Sequence, residues 1–158
     1  MNLMLKSLLE DEDVVKIFDL DGTLSEARWG DVYLNGRHEV NELRGLVKHL
    51  EEDKYATMMP TRYGIDAVAM SRGKIIIITR INDGIELSQK QSFVKRAYPV
   101  INVVDVIGVK SFQERSVILK NMLRYDDIVY IDDSLENLVK LENKLDGIHL
   151  YHTSSLAV

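Results

Sequence analysis

The sequence predicts an α/β fold, a doubly wound, Rossmann-like parallel sheet, and two observations carry that prediction. Short β-branched runs recur along the chain, and they are continuously apolar rather than alternating, as strands covered on both faces must be. Segments with helix punctuation separate most of them, giving the strand and helix alternation of a doubly wound domain.

The first run is "VVKIF" at 14–18. The stretch from 25 to 73 reads as a small insertion after that strand. "ARWGDVYLNGRH" carries turn signals at Trp29-Gly30-Asp31 and Asn35-Gly36, which predict a hairpin. "EVNELRGLVKHLEED" predicts a helix with Leu43, Leu46, Val47 and Leu50 inward, and "PTRYGIDAVAMSRG" a second with Pro60 in its first turn. "KIIIIT" at 74–79 is the next strand, and "NDGIELSQKQSFVKRAYP" a helix capped at Asn82 or Asp83 and stopped by Pro99. "VINVVDVIG" at 100–108 precedes "SFQERSVILKNMLRY", where Ser111 and Glu114 stand at capping-box spacing. "DIVYID" at 127–132 is followed by "DSLENLVKLENKLDG", with Leu135, Leu138, Leu141 and Leu145 along one face and Gly147 as a C-terminal cap. "GIHLYH" at 147–152 is the fifth strand.

The chain has 158 residues, the length of one ordinary domain, and no linker, repeat or low-complexity tract divides it. We therefore expect a single domain over 1–158, with 25–73 as a flap or rudimentary cap. A net charge of −5 gives no overall attraction for nucleic acid or an anionic membrane, so extended nucleic-acid binding is disfavoured. Cysteine is absent, which removes disulfides, thiolate catalysis and thiolate metal sites. The start, "MNLMLKSLLEDEDVV", lacks the continuous apolar core of a signal peptide, and no apolar run approaches the ~20 residues that span a bilayer. The expectation is a cytoplasmic protein.

In an open parallel sheet, ligands bind beyond the carboxyl ends of the strands, where strand order reverses. Four such ends carry polar chemistry: Asp19 and Asp21 after the first strand, Thr79 after "IIII", Lys110 after "VVDVIGV", and Asp132 with Asp133 after "IVY". Four converging carboxylates without a counterion are strongly unfavourable, so a divalent cation belongs with them, and an all-oxygen set favours Mg²⁺ over zinc. A hydroxyl and an ammonium at the same edge suit the oxygens of a phosphoryl group.

"DLDGT" at 19–23, the threonine of "IIIITR", a downstream lysine and "IDDS" resemble, in order, the four motifs of the haloacid dehalogenase (HAD) superfamily of phosphohydrolases. The resemblance spans residues 14 to about 140, and its first motif is the most specific. It implies a HAD-like sheet and an aspartyl-phosphate mechanism. Asp19 would be the nucleophile. Asp21 would protonate the leaving oxygen, then take a proton from water, while its backbone carbonyl helps hold the metal. Thr79 would bond the transferring phosphoryl group and Lys110 would neutralise its charge. Asp132 and Asp133, assigned jointly, would complete the Mg²⁺ site, one of such a pair often orienting the cation instead. Gly22 and Thr23 would shape the turn and offer amides to phosphate. Lys120 falls in mid-helix, about 15 Å further along than Lys110. Arg115 lies nearer the spacing from Asp132 seen in some phosphatases with paired aspartates.

The resemblance implies a phosphomonoester substrate: a nucleotide, a sugar phosphate or the terminal phosphate of a larger molecule. The space between Thr79 and Lys110 excludes a large cap there, so the site is expected to be open unless an oligomer partner or the segment from Tyr55 to Met70 closes it. Arg80, next to Thr79, is a candidate contact for substrate phosphate or ribose. Trp29 and Tyr33 either grip substrate or pack their hairpin. His38, His49, His149 and His152 show no metal-ligand spacing, and Met58, Met59 and Met70 read as gap fillers of the core. The competing expectation is a phosphate- or Mg²⁺-binding module that recognises a partner without turnover.

Overall fold

The computed structural model describes residues 1–26, 53–56, 58–99 and 102–157. In chain order the regular elements are α1 (Leu3–Glu10), β1 (Val14–Phe18), β2 (Ser25–Glu26), β3 (Met59–Pro60), α2 (Arg62–Met70), β4 (Ile75–Arg80), α3 (Gly84–Ala97), β5 (Val103–Val109), α4 (Phe112–Met122), β6 (Asp127–Asp132), α5 (Leu135–Lys144) and β7 (His149–His152). Five strands form one parallel sheet in the order β5-β4-β1-β6-β7. The chain winds outward from β1 through β4 to β5, then returns to the other side of β1. Strand order therefore reverses at β1, and the crevice beyond its carboxyl end is where such a sheet accepts ligands.

Both faces of the sheet are buried, which explains the unbroken apolar runs. Val14 and Phe18 of β1, Ile75 and Ile77 of β4, and Val129 and Ile131 of β6 join Leu5 and Leu9 of α1, Ala67 and Val68 of α2, and Phe93 and Val94 of α3 in one core. Val15 and Ile17, Ile76 and Ile78, and Ile128 and Tyr130 face the other way, onto Leu119 of α4 and Leu138 and Leu141 of α5. Lys16 is the polar exception in β1. Its buried ammonium donates to the carbonyls of Asp11 and Arg72, tying two loops to the amino end of the sheet.

Several expectations change. α1 was not anticipated; Asn2 caps it by accepting from the amides of Met4 and Leu5. The second helix of the insertion starts after Pro60, with Thr61 as its cap, while Pro60 itself pairs with Ser25 across β2 and β3. Of the four leucines expected along one face, Leu138, Leu141 and Leu145 are buried and Leu135 is exposed. α5 ends at Lys144, so Gly147, with φ +78°, shapes the turn before β7 rather than the helix cap. Met59 is exposed, whereas Met58 and Met70 pack partly buried against the first core. The hairpin with Trp29 and Tyr33, His38, His49, and the helix expected at 39–53 up to residue 52 lie outside the described residues.

Candidate active site

The site is built where β1, β4 and β6 end together. The Asp19 amide donates to the Ile131 carbonyl (2.9 Å), so Asp19 extends the β1–β6 ladder and stands beside Asp132, the last residue of β6. Beyond Asp19 the chain folds back tightly, the amides of Thr23, Leu24 and Ser25 all donating to the Leu20 carbonyl. Gly22 sits in the left-handed region (φ +78°), and a Cβ there would lie 2.2 Å from Asp133 Oδ2. Only glycine allows both this turn and this approach of backbone to carboxylate.

Asp19, Asp132 and Asp133 each place a carboxylate oxygen within 4.8 Å of the others. Asp19 and Asp132 are buried, and Asp133 is exposed. Burial, and then the negative charge of Asp132, push the Asp19 carboxyl from its ordinary 3.8 up to about 8, against the pull of Arg115. Burial and Asp132 push Asp133 up as well. Three convergent carboxylates, with the ionisation of Asp19 and Asp133 resisted by the fold, form an all-oxygen set that fits a hard divalent cation such as Mg²⁺. Asp21, expected in the same set, does not join it with its side chain: Tyr55 Oη donates to its Oδ1 (2.5 Å) and Lys90 Nζ to its Oδ2 (2.9 Å).

The cation beside Asp19 is Arg115. It lies on the buried face of α4 with Ser116 and Leu119, and its Nη1 donates to Asp19 Oδ1 (3.1 Å), Tyr130 Oη (2.6 Å) and Asp132 Oδ2 (3.4 Å). Asp132 is in turn fixed by Tyr130 Oη (2.6 Å), Asn137 Nδ2 (3.1 Å) and the Ser134 amide (2.9 Å). Asp132 thus orients the guanidinium, and Asp133 is left the more open of the pair. Lys110, the sequence's first choice for this role, is exposed at the start of α4, where its backbone amide donates to Glu114 Oε2 (2.8 Å). The helix turn that aims Arg115 at the sheet carries Lys110 outward. Signal for Arg115 existed in the sequence: it precedes Leu119 by four residues and so shares the apolar stripe of α4.

Lys90 is the cation that the sequence reading missed. It is 1% exposed, on the face of α3 that also buries Phe93 and Val94, and it reaches both Asp21 and the hydroxyl of buried Thr79 (2.9 Å). Arg80 is exposed and is one of the residues that line the cavity. Gly22 and Thr23 shape the turn as expected, but their amides are used within it, on the Ser25 and Leu20 carbonyls. They are therefore not turned toward a ligand. The Thr23 hydroxyl is buried without a partner among the described residues.

The resulting cavity holds about 380 Å³ and is open on one side. Asp19, Asp21, Arg115, Asp132 and Asp133 line it, together with Arg80, Phe112 and Lys140. No helix among the described residues is long and apolar enough to cross a membrane. No family profile, curated protein or solved structure matches this chain.

Proposed function

We propose that the chain is a Mg²⁺-dependent, HAD-like phosphohydrolase that cleaves a phosphomonoester through an aspartyl-phosphate on Asp19. The observation that carries this reading is the buried Asp19 carboxylate, held by Arg115 and within 4.8 Å of both Asp132 and Asp133, with Asp21 two residues further on. A lone structural carboxylate at a strand end needs neither a buried guanidinium nor two more acids.

Arg115 orients one Asp19 oxygen and neutralises charge that gathers on the phosphoryl group. Asp19 attacks phosphorus, the phosphorus–oxygen bond to the leaving group breaks, and Asp21, which must take up a proton from solvent before the step, gives that proton to the leaving oxygen. Water then attacks the aspartyl-phosphate, Asp21 takes the water proton, and inorganic phosphate leaves with Asp19 restored as a carboxylate. Thr79 donates its hydroxyl hydrogen to a phosphoryl oxygen. Mg²⁺ on Asp19, Asp132 and Asp133, with the Asp21 carbonyl as a further donor, would offset the carboxylate charge and polarise a phosphoryl oxygen. The open cavity suits a nucleotide, a sugar phosphate or the phosphorylated end of a larger molecule, and Arg80 at its wall is placed for a second anionic or hydroxyl group of such a substrate.

The test is phosphate release from an aryl phosphate in Mg²⁺ and in EDTA, for wild type beside Asp19→Asn. Metal-dependent release lost in the variant supports the reading. Absence of release from aryl, nucleotide and sugar phosphates alike, with Mg²⁺ and phosphate still bound, would replace it with a binding module that recognises its partner without turnover.

A further inference from the structure

Lys90 belongs to none of the four sequence motifs, yet it is among the most completely buried side chains of the molecule. A buried ammonium persists only where its charge and all its hydrogens are satisfied. Here three acceptors take them: Asp21 Oδ2 at 2.9 Å, Thr79 Oγ1 at 2.9 Å and the Arg80 carbonyl, with Glu86 Oε1 at 3.5 Å as a further counter-charge. Glu86 is itself tied down, since its Oε2 accepts from the Asn82 amide (2.7 Å). Tyr55 closes the other side, its hydroxyl on Asp21 Oδ1 and its ring 5.4 Å from the ammonium.

One consequence follows from donor chemistry alone. An ammonium has no acceptor, so in the Lys90–Thr79 bond the threonine oxygen must accept. The hydroxyl hydrogen is thereby barred from pointing at Lys90, and Thr79, fully buried near the end of β4, keeps it for another acceptor. We propose that Lys90 is a positioning residue: anchored on Asp21, it turns the Thr79 hydroxyl into an obligate donor toward a bound phosphoryl group. This rests on the phosphohydrolase reading of the site. It assigns to α3 a part in phosphate recognition that the motif residues alone do not explain. A threonine free to rotate would lose part of its interaction to its own rotamer and hydroxyl freedom, whereas one locked from behind presents its hydrogen before the ligand arrives.

The experiment is a double-mutant cycle on beryllofluoride affinity in Mg²⁺, measured by calorimetry on the full chain, so that no turnover is needed. Lys90→Met and Thr79→Val are each expected to weaken beryllofluoride about tenfold, and the double variant to be no weaker than about threefold below the worse single one. If Lys90 only packs α3 onto the sheet, its replacement leaves beryllofluoride affinity unchanged, or the two losses multiply to about a hundredfold, and either result overturns the proposal. Melting curves check that the variants fold; should Lys90→Met fail to, Lys90→Gln carries the cycle, because its shorter amide cannot reach Thr79 and Asp21 together. Wild type that binds no beryllofluoride in Mg²⁺ would instead remove the phosphohydrolase reading, and the role of Lys90 with it.

Discussion

Asp19→Asn should stabilise the metal-free protein, and by an amount that depends on pH in a predictable way. The Asp19 carboxyl is raised from 3.8 to about 8 because burial and Asp132 oppose its ionisation. A folded-state value above the unfolded one means that the neutral side chain contributes stability fully below about pH 4 and loses it as pH rises toward 8. At pH 7 the gap between the two values corresponds to about 4 kcal/mol, and at pH 4.5 to about 1 kcal/mol. Asparagine resembles the neutral carboxyl, and its amide oxygen still accepts from Arg115. In EDTA the variant should therefore melt about 8–16 °C above wild type at pH 7 and only about 2–4 °C above it at pH 4.5. Millimolar Mg²⁺ should close the gap at pH 7 by stabilising wild type, which supplies all three carboxylates, more than the variant. Scanning calorimetry across pH 4.5–8, with EDTA and with Mg²⁺, reads all of this. Equal melting of the two proteins at every pH in EDTA would refute the claim that Asp19 sits as a resisted charge among Asp132 and Asp133.

Other consequences follow from the same geometry. Arg115→Met removes the guanidinium that touches Asp19, Asp132 and Tyr130, and should lower kcat on an aryl phosphate by about a hundredfold or more. Lys110→Met, at an exposed amine, should leave kcat close to wild type, and the reverse pattern would restore Lys110 as the phosphate-neutralising cation. Gly22→Ala forces a side chain into the left-handed region and against Asp133; it should cost about 1–2 kcal/mol in denaturant unfolding and weaken Mg²⁺ in a calorimetric titration. Tyr55→Phe deletes the 2.5 Å bond to Asp21 and should cost about 1–2 kcal/mol, with kcat falling more than KM changes. An unchanged kcat in that variant would mean that Asp21 needs no support from the turn at 53–56.

Much of the sheet was legible because both of its faces are buried. The runs at 14–18 and 127–132 become strands over those same residues, since every position from 14 to 18 and from 128 to 132 is buried. α1 escaped notice because it spans only eight residues and its exposed Leu3 and Met4 blur the apolar stripe that Leu5, Leu8 and Leu9 make on the core. The acidic cluster was legible as spacing along the chain, because Asp19 and Asp132 each end an apolar strand. The cations were not, since a lysine or arginine on a helix declares itself only through the face it shares. Arg115 with Leu119, and Lys90 with Phe93 and Val94, each lie on an apolar stripe where an unpaired charge would be costly, and each meets a carboxylate there. Lys110 looked better because it stands at a helix start near the strand ends, but proximity along the chain does not decide which way the first turn aims a side chain.

The most direct test of the central claim is to trap the phosphorylated residue. Wild type would be mixed with an aryl phosphate in Mg²⁺, quenched in acid and reduced with borohydride, which converts an aspartyl-phosphate to homoserine, and the peptides would then be sequenced by mass spectrometry. The account predicts homoserine at position 19, none in EDTA and none in Asp19→Asn. Metal-dependent phosphate release with no modification at position 19, or with homoserine at another aspartate, would contradict it.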